Sequence, residues 1–345
     1  MTLARPLLLV ASITLVALIA VACSSSPSAT PGTTSSTTTP STPTAPRDTT
    51  VRPAVTPRAK TVHATLRTPD GRDRTYHVYA PSNVTPGATS GPAVPLLLAL
   101  HGGGGSGLQF ERTSGFDGLA EANGFVVVYP DGIGGGPNRA VLRTWNGGRC
   151  CGAAARTGVD DVGFVRLLVA KLETQYPIDR SRVYVAGHSN GGMLAYRLAC
   201  ELSDEIAAVG VQSTSLESDV CRPAKPVSLL HIHGTADRNV PIDGGRGPNA
   251  ISGVDYAPPI DGVRAVARLD GCQADPVVTK DADNPDVTVQ RWEECDAGVE
   301  VVFMTVNGAP HAWMGHTPPR NGTRAYEKLD SSLTIWRFLA AHARS

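Results

Sequence analysis

Eight short segments rich in apolar and β-branched residues recur between residues 61 and 306. They are Val62–Leu66, Thr75–Ala80, Pro95–Leu100, Phe125–Tyr129, Val183–Ala186, Ile206–Val211, Val227–Ile232 and Val299–Val306. The later segments are continuously apolar, which is typical of strands covered on both faces. Segments with helical periodicity separate them. This alternation predicts an α/β fold with a mostly parallel, eight-stranded sheet and helices on both faces.

The N-terminal residues have the pattern of an export signal. Arg5 precedes an apolar run that ends in small residues and is short for a membrane span, so we interpret residues 1–22 as a signal peptide. The residues around Cys23 resemble a bacterial lipobox, in which the cysteine is lipidated. An ordinary signal followed by a chance cysteine is the alternative.

A segment of low complexity follows. Residues 23–60 are dominated by Ser, Thr, Pro and Ala, and they lack the apolar side chains that would offset the entropy of ordering. We predict a disordered stalk that carries the lipid anchor. Residues 61–345 then form one exported domain, held at the outer face of the cell membrane by that anchor alone or released from the cell.

The charge of the chain is balanced. Thirty-one Lys and Arg residues match 31 Asp and Glu residues, so the formal net charge is zero. The sequence has no basic stripe interleaved with aromatic residues, so we do not expect it to bind nucleic acid. We expect a monomer.

Six cysteines follow Cys23, and an even number in an exported chain is typical of disulfides. The predicted pairs are Cys200–Cys221 and Cys272–Cys295. The adjacent Cys150 and Cys151 are left either bonded to each other or as two free thiols. No spacing resembles a zinc site, so we predict neither a metal nor a cofactor.

The strand predicted at Val183–Ala186 runs directly into Gly-His-Ser-Asn-Gly-Gly at residues 187–192, and a helical pattern follows. This is the motif G-x-S-x-G in the strand–turn–helix context that exposes a serine hydroxyl above a helix N-terminus. A glycine-rich turn without function is the alternative. The flanking strand and helix favour Ser189 as a nucleophile.

A serine hydroxyl is a poor nucleophile unless a base and an orienting acid assist it. With this motif the expected chain order is Ser, then Asp or Glu, then His. Asp237 follows the strand Val227–Ile232, and His311 follows Val299–Val306. Three residues in this order, each directly after a separate strand, predict that Ser189, Asp237 and His311 form a catalytic triad.

The strand Pro95–Leu100 opens into a glycine-rich loop at residues 101–107. Such a loop allows backbone amides to approach an anion closely. We therefore predict an oxyanion hole formed by the N–H groups of Gly103, Gly104 and Asn190. A phosphate-binding loop fits less well, because no Gly-Lys-Ser/Thr follows.

Aromatic and histidine side chains accompany these motifs. Trp145 and Trp313 can be flat walls of a substrate groove, and core packing is an equal alternative for each. The other histidines of the motifs are expected to pack or to support the site; they are His101, His188, His231 and His233.

Four motifs together resemble the esterase family of extracellular polyhydroxybutyrate depolymerases and feruloyl or acetylxylan esterases. They are Leu-His-Gly-Gly-Gly-Gly at 100–105, Gly-His-Ser-Asn-Gly-Gly at 187–192, His-Ile-His-Gly-Thr-Ala-Asp at 231–237 and Gly-Ala-Pro-His-Ala-Trp at 308–313. The resemblance extends over residues 60–345. It implies an α/β-hydrolase fold with Ser189, Asp237 and His311 as the triad, and it does not separate polyesters from plant-cell-wall esters as substrates.

The leading prediction is therefore a serine carboxylic ester hydrolase that acts on extracellular esters, polymeric ones included, through an acyl-serine intermediate. A peptidase or a lipase-like hydrolase is the alternative within enzymes. The short polar link between Val211 and Val227 argues against a large cap domain. A non-catalytic, envelope-tethered binding protein on the same fold is the alternative outside enzymes.

Overall fold

The computed structural model describes residues 61–87, 91–135, 141–316 and 326–344. The predicted signal peptide (1–22), the lipidation site Cys23 and the predicted stalk (23–60) lie outside the described residues, so these expectations stay predictions. Within the described parts of the chain, no helix has the length and apolar character needed to cross a bilayer.

Ten strands of the described chain form one sheet. They are β1 (Val62–Arg67), β2 (Asp73–Tyr79), β3 (Val94–Leu100), β4 (Val126–Pro130), β5 (Ile178–His188), β6 (Ala208–Gln212), β7 (Ser228–Gly234), β8 (Val277–Lys280), β9 (Val287–Trp292) and β10 (Val301–Val306). Their order is β1-β2-β4-β3-β5-β6-β7-β10-β9-β8. Six central strands, which are β4, β3, β5, β6, β7 and β10 in the order of the sheet, pair in parallel. Two antiparallel strands extend each edge.

The structure corrects the predicted strand number from eight to ten. The two missed strands, β8 and β9, form an antiparallel pair at one edge of the sheet. All four residues of β8 are exposed, and only the two end residues of β9 are buried. An edge pair needs neither a continuous apolar run nor a strict alternation, so the hydrophobic pattern that revealed the other strands was absent here.

Seven α-helices accompany the sheet in the described residues. They are α1 (Gly107–Ser114), α2 (Phe116–Asn123), α3 (Gly152–Arg156), α4 (Asp161–Glu173), α5 (Asn190–Glu201), α6 (Pro259–Leu269) and α7 (Ser331–Ala340). Apolar residues of α4, α5 and α6 share one buried cluster with one face of the sheet, and those of α1, α2 and α7 share a second cluster with the other face. The prediction of a mostly parallel sheet with helices on both faces is confirmed.

The link between β6 and β7, residues 213–227, contains neither a helix nor a strand. No cap domain is therefore inserted at this position, as the polar composition of the link predicted. Ser189 follows the neighbouring strand β5 and directly precedes α5.

Three disulfides are present among the described residues, and they join Cys150 to Cys151, Cys200 to Cys221 and Cys272 to Cys295. The two longer bridges are those predicted from the sequence. The adjacent cysteines form a bond with each other, so the structure decides against the alternative of two free thiols.

Candidate active site

Ser189 occupies a sharp turn between β5 and α5. Its backbone has φ 53° and ψ −122°, a left-handed conformation that costs a non-glycine residue about 1–3 kcal/mol. The turn is possible because glycines flank the serine, where other backbone atoms leave no room for a side chain. A Cβ atom on Gly191 would collide with the carbonyl oxygens of Leu100 and His101. The Ser189 hydroxyl consequently projects from the end of the sheet rather than into the helix.

The three residues predicted as a triad lie together. The Nε2 atom of His311 is 3.0 Å from the Oγ atom of Ser189, and its Nδ1 atom is 2.8 Å from Oδ2 of Asp237. A carboxylate only accepts hydrogen bonds, so Nδ1 of His311 carries the proton and Nε2 of the neutral ring is free to accept from the serine hydroxyl. This geometry lets the ring remove the hydroxyl proton when the serine attacks.

Asp237 is held by the loop in which it lies. The backbone N–H groups of Asn239 and Val240 donate to its Oδ1 atom, at 2.8 and 2.9 Å. Burial alone raises the pKa of the Asp237 carboxyl, but the hydrogen bond and charge interaction with His311 and the backbone donors outweigh it, so the pKa lies below its usual value. The carboxylate is therefore ionised and turned toward the imidazole.

Gln212, at the end of β6, was not predicted to belong to the site. Its carbonyl oxygen accepts from the N–H of Ser189 at 2.9 Å, and its side-chain Nε2 donates to the carbonyl of Ala312 at 2.6 Å. It thus connects the turn of the nucleophile to the residue that follows His311. The only sequence signal was a buried polar residue that ends an apolar strand, and that signal alone names no partner.

The glycine-rich loop after β3 corrects one predicted oxyanion donor. The N–H of Gly104 donates to the carbonyl of Arg143 at 2.7 Å, so it is not free for a substrate. Among the described residues, no acceptor engages the N–H of Gly103, and a Cβ built on Gly103 would contact the Cβ of Asn190 at 3.6 Å. Gly103 and Asn190 therefore remain neighbouring candidates beside the serine.

The side chain of Asn190, unlike its backbone N–H, binds another segment of the described protein. It is buried and exchanges two hydrogen bonds with the backbone of Trp145: Oδ1 accepts from the N–H at 2.7 Å, and Nδ2 donates to the carbonyl at 3.0 Å. The loop that precedes the vicinal disulfide is thereby attached to the first residue of α5.

Trp145 is not a wall of the groove. Its side chain is 0% exposed, and its indole Nε1–H donates to the carbonyl of His101 at 2.9 Å, so the ring supports the glycine-rich loop from below. Trp313 is also nearly buried, and its Nε1–H donates to Ser332 Oγ at 2.8 Å, but it lines a cavity beside Ser189. The alternative of core packing is thus correct for Trp145.

Two cavities open onto Ser189. The smaller, of about 180 Å³, is lined by glycines of the loop after β3 and by Gln109, Phe110, His188 and Trp313. The larger, of about 520 Å³, also includes Ser189 in its lining, and its walls include Leu142, Met193, Ile251 and Tyr256. An ester bond placed at the serine can direct its two halves into these two spaces.

Two buried histidines beside the site are neutral. Burial lowers the pKa of His101 to about 4. Burial, and then the neighbouring His311, lowers the pKa of His188 to about 3. His101 donates from Nδ1 to the Gly102 carbonyl at 2.8 Å and accepts from the N–H of Gly132 at 3.0 Å, which is the structural role expected from the sequence. In the described residues, no group of three His, Cys, Asp or Glu residues is arranged to hold a metal ion.

Comparison with known proteins agrees with this geometry. Residues 75–243 match the family described as Esterase PHB depolymerase. The putative esterase NocK of Nocardia uniformis subsp. tsuyamanensis is 34% identical over 264 residues, which are 72% of this chain and 73% of that protein. Feruloyl esterase B of Piromyces equi is 32% identical over 237 residues, which are 66% of this chain and 41% of that protein.

Among solved structures, the acetyl xylan esterase from Aspergillus awamori has a TM-score of 0.50 and 14% sequence identity, over 81% of this chain and 99% of that one. At this identity the likeness concerns the fold, which is of the α/β-hydrolase type. The chain belongs to the Esterase PHB depolymerase family, as the four motifs predicted. It corresponds to less than half of the Piromyces equi protein.

Proposed function

We propose that this protein hydrolyses carboxylic esters through a covalent acyl-serine intermediate, with Ser189 as the nucleophile. The observation that carries the proposal is the continuous hydrogen-bond chain from Ser189 Oγ through His311 to Asp237. Membership of an esterase family supports it. A binding protein on the same fold would have no need of a strained serine hydrogen-bonded to an imidazole that a carboxylate orients.

In the proposed first step, Ser189 Oγ attacks the ester carbonyl while Nε2 of His311 takes the hydroxyl proton. The backbone N–H groups of Gly103 and Asn190 hold the negative charge that develops on the carbonyl oxygen. The imidazolium, stabilised by Asp237, then gives the proton to the leaving alcohol. In the second step water, deprotonated by the same ring, releases the acid and restores the serine.

The proposed substrates are extracellular esters of the feruloyl or acetylxylan type or of the poly(3-hydroxybutyrate) type. Relatives named feruloyl esterase and acetylxylan esterase support the first type, and membership of the Esterase PHB depolymerase family supports the second. A peptidase is less favoured, because the relatives are esterases. Three disulfides support export to an oxidising compartment, and the lipid anchor at Cys23 remains part of the proposal.

The proposal is tested by labelling and by turnover. A fluorophosphonate probe should label the folded protein at Ser189, and mass spectrometry identifies the labelled peptide. Turnover is then measured as kcat/KM for feruloyl, acetyl-xylan, 3-hydroxybutyrate-oligomer and short aryl esters, and the comparison identifies the preferred class of ester. A folded protein that neither reacts with the probe nor hydrolyses any of these esters favours the non-catalytic alternative. Turnover of amides above all esters favours a peptidase.

A further inference from the structure

Three fully buried side chains form a hydrogen-bonded line that begins on α5 and ends in the loop after β7. The hydroxyl of Tyr196 is 2.7 Å from Nδ1 of His231. Nε2 of His231 is 3.1 Å from Nδ1 of His233, and Nε2 of His233 is 2.9 Å from the carbonyl oxygen of Val240. Since His231 and His233 are two residues apart on β7, both point to the face of the sheet on which α5 packs.

The last partner fixes the direction of every bond in the line. A carbonyl oxygen only accepts, so Nε2 of His233 must carry a proton. A neutral imidazole has one N–H, which leaves Nδ1 of His233 as an acceptor and makes Nε2 of His231 the donor to it. By the same rule Nδ1 of His231 accepts from the hydroxyl of Tyr196. Both rings are thus held in the Nε2–H tautomer.

The electrostatic surroundings agree with neutral rings. Burial, and then the neighbouring His233, lowers the pKa of His231 well below its usual value. Burial also lowers the pKa of His233, against the opposing effect of Asp237. Burial raises the pKa of Tyr196. With one proton on each group, the described residues satisfy every nitrogen and hydroxyl in the line.

The line ends at the group that orients Asp237. The residue whose carbonyl accepts from His233, Val240, also donates its N–H to Oδ1 of Asp237 at 2.9 Å. In addition, Nε2 of His233 is 3.7 Å from Oδ2 of Asp237, the oxygen that receives the hydrogen bond from His311. The N–H dipole of His233 therefore acts on the same carboxylate oxygen that orients the imidazole.

The other end of the line is on the helix of the nucleophile. Tyr196 lies seven residues after Ser189, on α5. Burying three polar side chains in a sheet-and-helix core has a desolvation cost that apolar side chains of the same size avoid. A buried polar network in which every group is hydrogen-bonded makes the segments that it joins rigid. Here those segments are α5 and the Asp237 loop, and both of them form the site.

Resting on the proposed function, we propose that Tyr196, His231 and His233 are positioning residues for ester hydrolysis. Their hydrogen bonds, which all run in one direction, hold the Asp237 loop against α5, the helix that directly follows Ser189, and so set the orientation of His311. None of the three side chains touches the substrate in this proposal, so their loss lowers kcat rather than raising KM.

The kinetic test compares two variants of His233 with one of Tyr196. His233→Met removes both ring nitrogens at similar volume and is expected to lower kcat about 10- to 100-fold, the range that small displacements of catalytic groups produce, with KM changed less than about twofold. His233→Gln places an amide N–H near the position of Nε2 and should recover most of the loss. Tyr196→Phe, which removes one hydroxyl, should lower kcat several-fold and remains informative if His233→Met does not fold.

Tyr184→Phe is the matched control. Tyr184 is equally buried, and its hydroxyl donates to the carbonyl of His342 at 2.6 Å, remote from the serine. Both tyrosine variants lose one buried hydrogen bond and are expected to lower Tm, but only Tyr196→Phe should lower kcat and the rate of fluorophosphonate labelling. An equal loss of kcat in Tyr184→Phe would overturn the proposal, as would wild-type kcat in His233→Met.

The tautomers give a second test that does not require turnover. Long-range ¹H–¹⁵N correlation spectra of the protein labelled at histidine should show His231 and His233 as Nε2–H tautomers. In Tyr196→Phe the signals of His231 should change, because its Nδ1 loses the hydroxyl that donates to it. An Nδ1–H tautomer in either wild-type ring overturns the proposal, even if the protein proves not to hydrolyse esters.

Discussion

The Nε2 atom of His311 lies 3.0 Å from the Oγ atom of Ser189, although 122 residues separate them in the chain. The two residues follow β5 and β10, which are not neighbours, because β6 and β7 lie between them in the sheet. Gln212, at the end of β6, bridges this gap by hydrogen bonds to both loops. The proximity of His311 and Ser189 therefore depends on the strand order as well as on the motifs themselves.

Ser189→Ala should lower kcat for every ester that is turned over by on the order of 10⁴-fold or more, because the members of a triad act as a unit. The variant should remain folded, since the N–H of residue 189 still donates to Gln212. Steady-state kinetics and circular dichroism measure the two effects. Ser218→Ala is the control: its hydroxyl bonds only to the nearby carbonyl of Val220, and activity should be unchanged. If Ser189→Ala turns esters over at a rate comparable to that of the wild type, Ser189 is not the nucleophile.

Asp237→Asn should lower kcat by about 10⁴-fold through the wrong tautomer of His311. Two backbone N–H groups already donate to the Oδ1 position, so the oxygen of the new amide must take that place. The NH₂ group then faces Nδ1 of His311 and forces the ring proton onto Nε2, which can no longer accept from the serine.

Asp243→Asn, six residues further along, is the matched control for this substitution. Asp243 is exposed and makes none of these hydrogen bonds in the described structure, so kcat/KM should stay within about twofold of wild type. If Asp243→Asn were the damaging change and Asp237→Asn were harmless, the acid of the triad would be wrongly assigned.

The local parts of the fold could be predicted from the sequence. The strands of the parallel core were visible because each is buried on both faces and therefore continuously apolar. The turn at Ser189 was visible because backbone crowding there allows only glycine at the flanking positions. These constraints act within a few residues, so short sequence motifs are enough to recognise them.

Three features that depend on contacts between distant segments were not predictable. The N–H of Gly104 cannot donate to a substrate because it donates to the carbonyl of Arg143, and no pattern in the sequence around Gly104 predicts that partner. Trp145 was equally consistent with a groove and with the core until its indole was found beneath His101. Gln212 gained its role from two loops that meet only in the folded sheet.

Stability should fall as pH rises through the titration of Asp270, at the C-terminal end of α6. Burial raises the pKa of its carboxyl from 3.8 to about 7; a hydrogen bond from the backbone of Val227 opposes this shift, and the nearby Asp296 adds to it. The folded state then binds one more proton than the unfolded state between these values. Its stability contribution is complete below about pH 4 and is lost as pH rises toward 7, by up to about 1.4 kcal/mol per pH unit.

Asp270→Asn should remove this contribution to the pH dependence of stability, so the fall in unfolding free energy between pH 4 and 7, measured by urea unfolding at a series of pH values, should be smaller than in the wild type. Asp261→Asn, in the exposed first turn of the same helix, is the control and should retain the wild-type slope. If the unfolding free energy of Asp270→Asn falls between pH 4 and 7 as steeply as that of the wild type, the assignment to Asp270 is wrong.

The bridges Cys200–Cys221 and Cys272–Cys295 should each contribute about 3 kcal/mol to the free energy of unfolding, because they close loops of about twenty residues. Replacing both members of one pair by serine avoids a free thiol that could exchange. Each double variant should unfold at lower urea concentration. Esterase activity should persist, because none of these four cysteines lines either cavity beside Ser189.

Peptide mapping under non-reducing conditions decides the pairing itself. Trypsin cleaves after Arg149 and Arg156, so Cys150 and Cys151 fall in a single short peptide. If they are bonded to each other, as in the structure, that peptide is recovered alone and is lighter by two hydrogen atoms than its reduced form. Cys151 lines the larger cavity, and its thiol is blocked by the bond to Cys150, so iodoacetamide should modify it only after reduction. Recovery of this peptide crosslinked to a peptide that contains Cys200, Cys221, Cys272 or Cys295 would show that the vicinal bond and the pair containing that cysteine are both wrong.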